Sequence, residues 1–447
     1  MLEVILLSKV IPKRTYRNIL NSLGGGTVPR EGLGYIAVGR EKEIDSLLRD
    51  LEIISDGGAT CRFIVGDYGS GKTFLIQTIK EYCVKHNFIV AEADLSDLSP
   101  DRAFVGTSTK KKGLATYREL MSNVSNKTNQ SGHALGKVLD LWINKLFELA
   151  ANHMMTNPIG NGNIEELTER IMLKETAPLQ ELSYGYDFVI ALRKFWRYSR
   201  SFEDPDSVIK KEAVLKWFRG GYSSNQDSKR ATGLSMISDD NWFDYIMLWS
   251  EFFKIAGYEG FYIMIDELVN IYKMSSSTTR QKNYESMLMM YNSTLQGKAR
   301  YLGILMCGTP VSIYDKKKGL FSYEAMKSRL STGLYKDTRI VNMMTPIIKI
   351  VPLTKEEMYV LLEKIVEIHA DLYGYEKCIT EDELIYFTKL AYLKRETAYI
   401  TPRTMIRDFI QVIDVKRQNP DISIEDILSE YKFALEEEQF FENDYLE

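Results

Sequence analysis

The eight residues GDYGSGKT, Gly66 to Thr73, constrain this chain more than any other stretch. They fit G-x-x-x-x-G-K-[ST], the Walker A pattern, in which glycines let the backbone curl so that successive N–H groups point at phosphate oxygens. The apolar run RFIV precedes the loop, and TFLIQTIKEYCVKH continues it with helical periodicity. A helix that begins there directs its positive N-terminal end at the same anion. The stretch therefore predicts a strand, a phosphate-binding loop and a helix.

We predict that Lys72 reaches the β- and γ-phosphates and that the Thr73 hydroxyl ligates Mg²⁺. A glycine-rich turn that binds nothing is the alternative, and the strand and helix on either side of the loop argue against it. The residues expected to contact the nucleotide here are Gly66, Asp67, Tyr68, Gly69, Ser70, Gly71, Lys72, Thr73 and Phe74.

Two carboxylates follow a second apolar run, FYIMIDE, far downstream of the loop. We expect Asp266 to hold Mg²⁺ through its water shell and Glu267 to polarise the attacking water as a general base. A glutamate in this position is typical of P-loop NTPases of the AAA+ (ASCE) type, and the pair corresponds to a Walker B motif. The chain has no Asn-Lys-x-Asp guanine-reading motif, which favours ATP over GTP.

Two further strands are predicted, YLGILMCGTP and IIKIVPL. We expect YLGILMCGTP to lie between the first and third strands, so that Thr309 contacts the γ-phosphate or the lytic water, as a sensor-1 residue does. The alternative is a threonine that only caps the following turn.

Arginines supply three weaker candidates. Arg329, in a predicted helix before the last strand, is a candidate catalytic finger offered to a neighbouring subunit. Arg403 begins a C-terminal helix, where a sensor-2 arginine would reach the phosphates, and Arg407 is its substitute. A surface or salt-bridged arginine is the alternative for each.

The segment AVGREKEI precedes the first amphipathic helix and supplies a candidate adenine contact. We predict that Val38, Gly39 and Arg40 wrap the adenine. An ordinary turn that caps the following helix is the alternative.

A chain of 447 residues is too long for one hydrophobic core. The alternation of strands and helices predicts an α/β fold with a parallel sheet, interrupted by a large helical insertion and followed by a C-terminal helical lid. Apolar stripes predict insertion helices, including one with Leu135, Val138, Leu139, Trp142, Leu146 and Leu149 on one face. The predicted domains are an N-terminal helical arm (1–35), the ATPase core (36–100 and 250–355), the insertion (101–249) and the lid with an acidic tail (356–447).

The formal net charge is −4, so the whole chain offers no general electrostatic surface for nucleic acid. Two lysine triplets, Lys110-Lys111-Lys112 and Lys316-Lys317-Lys318, could contact DNA phosphates, or be ordinary solvated loops.

The four cysteines lack metal-ligand spacing, and we expect them reduced and mostly buried. Glu3 interrupts the N-terminal apolar run, which argues against a signal peptide. We expect a cytoplasmic protein with no membrane partner.

Several particular stretches resemble one family. The segments VPREGL, IAVGREKEIDSLLRDL, GLATYRELM, MIDELVNIY, KKGLFSYEAMKSRL and ITPRTMIRDFI, together with the phosphate loop, are similar to the BrxD-like P-loop/AAA+ ATP-binding proteins of BREX (bacteriophage exclusion) systems. The similarity runs from about residue 28 to 410 in one order. It implies an AAA+-like ATPase working beside a helicase and a DNA methyltransferase of the same defence island.

The motifs and the resemblance together predict an ATPase that uses ATP and Mg²⁺ in a homo-oligomer. One reading is a DNA-engaged motor, loader or switch in anti-phage defence. The other is an ATP-gated scaffold or signalling NTPase that recruits partner effectors with little turnover.

Overall fold

The protein contains one five-stranded sheet in the part of the chain that the computed structural model describes. Those residues are 12–95, 103–104, 112–156, 163–200, 204–331, 342–393, 401–431 and 433. The strands are β1 (Ala59–Val65), β2 (Ile89–Asp94), β3 (Phe261–Asp266), β4 (Leu302–Gly308) and β5 (Ile347–Lys349), in the spatial order β2-β3-β4-β1-β5. The prediction that the strand before Thr309 lies between the first and third strands is confirmed.

Helices fill the connections between the strands. In chain order within the described residues they are α1 (Lys13–Gly24), α2 (Glu41–Ser55), α3 (Lys72–Lys85), α4 (Lys112–Ser122), α5 (Leu135–Thr156), α6 (Ile164–Thr176), α7 (Gly185–Tyr198), α8 (Pro205–Phe218), α9 (Asn225–Thr232), α10 (Trp242–Ile255), α11 (Val269–Tyr272), α12 (Ser277–Leu295), α13 (Pro310–Tyr314), α14 (Glu324–Leu330), α15 (Lys355–Tyr373), α16 (Glu381–Leu393), α17 (Pro402–Gln418) and α18 (Ile424–Glu430).

The sheet is parallel, as the α/β prediction requires. β3 pairs with β2 on one side, with Asp266 opposite Asp94, and with β4 on the other, with Ile263 opposite Ile304. Every residue of β4, and all of β3 except Asp266, is buried. Continuous apolar strands of this kind are typical of parallel sheets covered on both faces.

The chain divides into two compact units, each assembled from separate segments. The first unit comprises Met1–Leu48, Ile64–Tyr82 and Tyr335–Glu447, and the second comprises Arg49–Phe63 and Cys83–Leu334. The boundaries predicted from the sequence for arm, core, insertion and lid stay a prediction.

The core of the first unit joins the two ends of the chain. Ile19 and Leu23 of α1 pack in one buried cluster with Leu362 of α15, Phe409 of α17 and Leu428 of α18. Phe74 and Val38 are partly buried against the same cluster. The helix that follows the phosphate loop therefore rests on the C-terminal helices.

The core of the second unit is strongly aromatic. Trp249 of α10 contacts Phe188 of α7 and Phe218 of α8, with ring centroids 4.9 and 5.1 Å apart in edge-to-face arrangements. On the next turn of α10, Phe253 contacts Phe261 of β3 at 5.0 Å. Helix α10 thus links this aromatic cluster to the sheet.

The predicted apolar stripe of α5 is confirmed except at its end. Leu146 is fully buried, whereas Leu149 is 40% exposed and Ala150 is fully buried instead. Positions three and four residues after Leu146 both lie near the buried face, so periodicity alone does not explain why Ala150 and not Leu149 is buried.

A buried ion pair lies beside the sheet in the second unit. Arg62 of β1 donates from Nε and Nη2 to the two carboxylate oxygens of Asp50, at 2.7 and 2.6 Å. Asp50 is 1% and Arg62 6% exposed. Burial opposes the charge on Arg62, but the bonds to Asp50 raise the pKa of the guanidinium above its ordinary value. Each buried charge is therefore stabilised by the other.

We predict that Asp50→Ala lowers the free energy of unfolding by about 3–5 kcal/mol, because the buried guanidinium of Arg62 loses its carboxylate partner. The double variant Asp50→Leu/Arg62→Met should lose much less than the sum of the single changes, since it removes both charges. Urea unfolding of the wild type, Asp50→Ala, the single variants Asp50→Leu and Arg62→Met, and the double variant measures this. A loss within about 0.5 kcal/mol for Asp50→Ala, the range of ordinary surface changes, would contradict it.

Candidate nucleotide site

The loop after β1 adopts backbone angles that suit glycine. Gly69 has φ +72° and Gly71 has φ +100°, both in the left-handed region that side chains disfavour. Between them, the Ser70 N–H donates to the Asp67 carbonyl at 3.2 Å, and α3 begins immediately afterwards at Lys72. The glycine spacing of the motif therefore corresponds to a real curl of the chain into a helix N-terminus.

Lys72 closes this curl from inside. Its ammonium group donates to the carbonyl oxygens of Gly66 and Asp67, at 2.8 Å each, and lies 5.5 Å from the centre of the Tyr68 ring. The side chain is largely buried, whereas the neighbouring Thr73 is exposed. The cation is thus held inside the loop, beside an exposed threonine.

Ser70 supplies a test of whether the loop suits an anion. The residue is 1% exposed, and its Oγ is buried without a hydrogen-bond partner among the described residues. A Cβ at Gly66 would lie 2.5 Å from that oxygen, so the hydroxyl occupies the inside of the curl. An unsatisfied buried hydroxyl beside a lysine and a helix N-terminus fits a phosphate group.

The predicted adenine segment lies against the loop in the first unit. Arg40 is 5% exposed and donates to the Ser70 carbonyl at 3.1 Å and to the Val351 carbonyl at 2.8 Å. Gly39 has φ +65°, and a Cβ there would lie 2.6 Å from the Glu357 carboxyl carbon. The structure thus brings Gly39 and Arg40 beside the loop, while their contact with adenine stays a prediction.

The two predicted carboxylates lie in the second unit, at the end of β3. Asp266 is the last residue of the strand, and its Oδ1 accepts the Glu267 N–H at 2.8 Å. Glu267 has φ +60°, an uncommon backbone conformation for a residue with a side chain. The next N–H, of Leu268, donates to the Cys307 carbonyl on β4 at 2.9 Å. These bonds hold Glu267 in the strained turn.

Thr309 follows β4 directly and is 5% exposed. Its hydroxyl accepts the Ser312 N–H at 3.4 Å and caps α13. The capping contact considered as the alternative is therefore present. The sensor role stays a prediction.

The candidate arginines are all at least partly exposed. Arg329 of α14 donates from Nε to the Asn292 side chain at 3.0 Å and from Nη1 to the Ala325 carbonyl at 2.9 Å. Arg403 is the second residue of α17, and Arg407 lies one turn later, 3.9 Å from the Asp408 carboxylate. Their roles in catalysis stay predictions.

Contacts within the first unit bring Arg403 near the loop. A Cβ at Gly69 would lie 2.7 Å from the Cβ of Thr401, the residue that caps α17. The N-terminus of the helix that carries Arg403 therefore packs against the phosphate loop.

A sequence model of the family described as BREX system ATP-binding protein BrxC/D matches residues 11–432, nearly the whole chain. The chain belongs to the BrxC/D family. A search of curated proteins finds no match.

Membership of the BrxC/D family assigns the chain an ATP-binding role. The family is described as ATP-binding and as part of BREX systems, so the chain has an ATP-binding role in a BREX system. The resemblance identified from the sequence motifs is thereby confirmed.

Among the described residues, no group of three or more His, Cys, Asp or Glu side chains could hold a metal ion, and no helix is long and apolar enough to span a membrane.

Two contacts around the loop in this BrxC/D chain were not predicted from the sequence. The backbone carbonyl of Val351 accepts a hydrogen bond from Arg40, and no side-chain pattern reveals such a contact. Thr401 had a weak signal, because a threonine before proline is a common helix N-cap. Its position against Gly69 depends on tertiary packing.

We predict that Gly69→Ala impairs ATP binding much more than Gly374→Ala, a matched change in the same unit. Both positions have φ near +70°, so each alanine should cost about 1–2 kcal/mol of backbone strain. Only at Gly69 would the new methyl group collide with Thr401, whereas Gly374 has no atom within 4 Å of its Cβ position. Titration calorimetry with ATP and thermal melts of both variants measure this. Equal ATP affinities for the two variants would contradict the steric argument.

Proposed function

We propose that this chain binds ATP with Mg²⁺ at the loop Gly66–Thr73 and hydrolyses it as an ATPase of the AAA+ type. The observation that carries the proposal is the conformation of the loop. Two of its glycines have left-handed backbone angles, and it holds a buried lysine and an unsatisfied serine hydroxyl at the start of a helix. Family membership supports ATP as the ligand. The place of β4 between β1 and β3 supports the AAA+ type.

In this proposal the residues of the loop bind and orient the phosphates. The backbone N–H groups at the start of α3 donate to phosphate oxygens. Lys72 exchanges its bonds with the Gly66 and Asp67 carbonyls for bonds with the phosphates, which are stronger because both partners are charged. The Ser70 hydroxyl gains a partner on the same side.

Thr73 and Asp266 are the residues that would hold Mg²⁺, which when bound neutralises developing charge on the phosphates. Glu267 would accept a proton from the attacking water. Its strained backbone supports a functional role, because φ +60° costs free energy that a glycine would avoid. Thr309, Arg329 and Arg403 complete the proposed catalytic set.

We place the chain in the cytoplasm, as a homo-oligomer that engages DNA as a motor, loader or switch in anti-phage defence. The three side chains of Lys316-Lys317-Lys318 are exposed, and the Asp315 carboxylate accepts the Lys317 and Lys318 N–H groups at 2.6 and 3.3 Å, which fixes the turn. Of the other triplet, Lys110 and Lys111 lie outside the described residues. A helicase and a DNA methyltransferase are the proposed partners.

The second reading, an ATP-gated scaffold that recruits effectors with little turnover, uses the same loop. Both readings require Lys72 for nucleotide binding. Only the motor reading requires that the protein hydrolyses ATP with Glu267 as the base and that DNA changes the rate of this hydrolysis.

We predict that ATP hydrolysis by the wild-type protein rises when duplex DNA is added, and that Glu267→Gln abolishes turnover while ATP binding persists. The amide cannot act as a base, which is expected to lower the rate by at least about 100-fold. Phosphate release and ATP calorimetry, each with and without DNA, measure this. Glu267→Gly is a useful control, because it relieves the backbone strain and should lose turnover without loss of stability.

No wild-type turnover in the presence or absence of DNA would refute the motor reading and leave the scaffold reading. Wild-type turnover in Glu267→Gln would refute the assignment of the base. Loss of ATP binding in Lys72→Ala is expected under both readings.

We predict that Arg329 acts across a subunit interface. Because Arg329 is exposed on α14, its guanidinium is placed where a second copy could reach it. Mixing Arg329→Ala with Lys72→Ala should restore part of the ATPase activity that each variant lacks alone. Lys327→Ala, a change on the same helix, is the control and should keep its activity. If the mixture recovers nothing although both variants assemble, the assignment fails.

A further inference from the structure

Arg40 occupies a position that its proposed contact with adenine does not explain. Its guanidinium donates to three backbone carbonyls, those of Gly39 at 2.9 Å, Ser70 at 3.1 Å and Val351 at 2.8 Å. Only 5% of the residue is exposed. All four residues belong to the first unit. The side chain is therefore committed to the backbone of the phosphate loop and of the chain after β5.

Glu43 contributes little to holding this cation. Its carboxylate lies 3.8 Å from Nη1, beyond hydrogen-bond distance, and burial raises the pKa of its carboxyl above the ordinary value. The three carbonyls are hydrogen-bond partners of a buried charge. Losing these bonds would be costly, because a buried charge depends on hydrogen bonds to offset its desolvation.

The bond from Arg40 to the Ser70 carbonyl also fixes the orientation of the backbone N–H of Gly71. A trans peptide plane points its C=O and its N–H in opposite directions. When Arg40 holds the Ser70 carbonyl, the N–H of Gly71 in the same plane faces away from the guanidinium. A Cβ at Gly71 would lie 4.0 Å from Arg40 Nε, an ordinary contact, so it is the φ of +100° that calls for glycine there. One donor of the proposed phosphate site is therefore oriented before any ligand arrives.

The other partner of Arg40 leads directly to a C-terminal helix. Val351 lies four residues before α15 begins at Lys355. Gly39 packs against Glu357, which closes the capping box at the start of the same helix. On the other side of the loop, Gly69 packs against Thr401 at the start of α17. The loop is thus contacted by the segments that begin two helices of the first-unit core.

We infer that Arg40 is a positioning residue that orients the phosphate loop and couples its occupation by nucleotide to helices α15 and α17. The inference rests on the proposed binding of ATP at this loop. A phosphate that binds the oriented N–H groups tightens the loop, and the bonds from Arg40 to Ser70 and Val351 carry that constraint to the start of α15. The packing of Gly69 on Thr401 carries it to α17.

The test compares Arg40→Met with Lys364→Met. Lys364 also ties distant segments of the first unit, donating to the Ala37 carbonyl at 3.1 Å, but the carbonyl it contacts lies outside the loop. ATP affinity is measured by calorimetry with Mg²⁺. Hydrogen exchange of peptides from residues 355–373 and 402–418 is measured with and without saturating ATP.

We expect Arg40→Met to bind ATP at least about tenfold more weakly, because the loop loses its charged donor. At saturating ATP it should also lose the added exchange protection of α15 and α17 that the wild type gains. Lys364→Met should keep both properties. Arg40→Lys, which keeps the charge with fewer directed donors, should be intermediate and serves as the test variant if Arg40→Met does not fold.

Wild-type affinity in Arg40→Met or Arg40→Lys would overturn the positioning role and leave the proposed ATP binding intact. ATP binding by the wild type without added protection in either helix would overturn the coupling. If the wild type binds no ATP, the proposed function and this inference both fail.

Discussion

A loop that turns successive backbone N–H groups towards an anion must turn carbonyl groups the other way, and buried carbonyls need donors. Two cations satisfy this requirement here. Lys72 donates to the Gly66 and Asp67 carbonyls from inside the curl, and Arg40 donates to the Ser70 carbonyl from outside it. The shape of the candidate site therefore depends on these bonds as much as on the glycines that permit the curl.

The local features of this arrangement could be predicted from the sequence. A strand of consecutive apolar residues, glycines at fixed spacing and a helix after Lys72 each follow from short-range rules, and all three occur. The place of β4 in the sheet could also be predicted, because parallel strands linked by helical connections allow few orders. The predicted apolar stripe of α5 was wrong only at Leu149, which is exposed, whereas Ala150 is buried.

The contacts between distant segments could not be predicted in the same way. The bond from Arg40 to Val351 spans more than 300 residues and ends on a backbone carbonyl, so no pattern of side chains marks it. The pairing of Asp50 with Arg62 is equally hidden, since an arginine inside an apolar strand gives no sign of its partner. Sequence periodicity identifies which face of an element is buried, and the fold alone decides what covers it.

The backbone conformation of Glu267 supports the chemical role proposed for its side chain. Glycine or asparagine would occupy a left-handed position at lower cost than glutamate. The cost of this conformation is about 1–2 kcal/mol. The hydrogen bond from the Glu267 N–H to the Asp266 carboxylate and the bond from Leu268 to β4 offset it. A strained residue that neighbouring bonds hold in place supports the proposed role of its carboxylate at the end of β3. Asp266, the last residue of the strand, fixes the backbone of Glu267 by accepting its N–H.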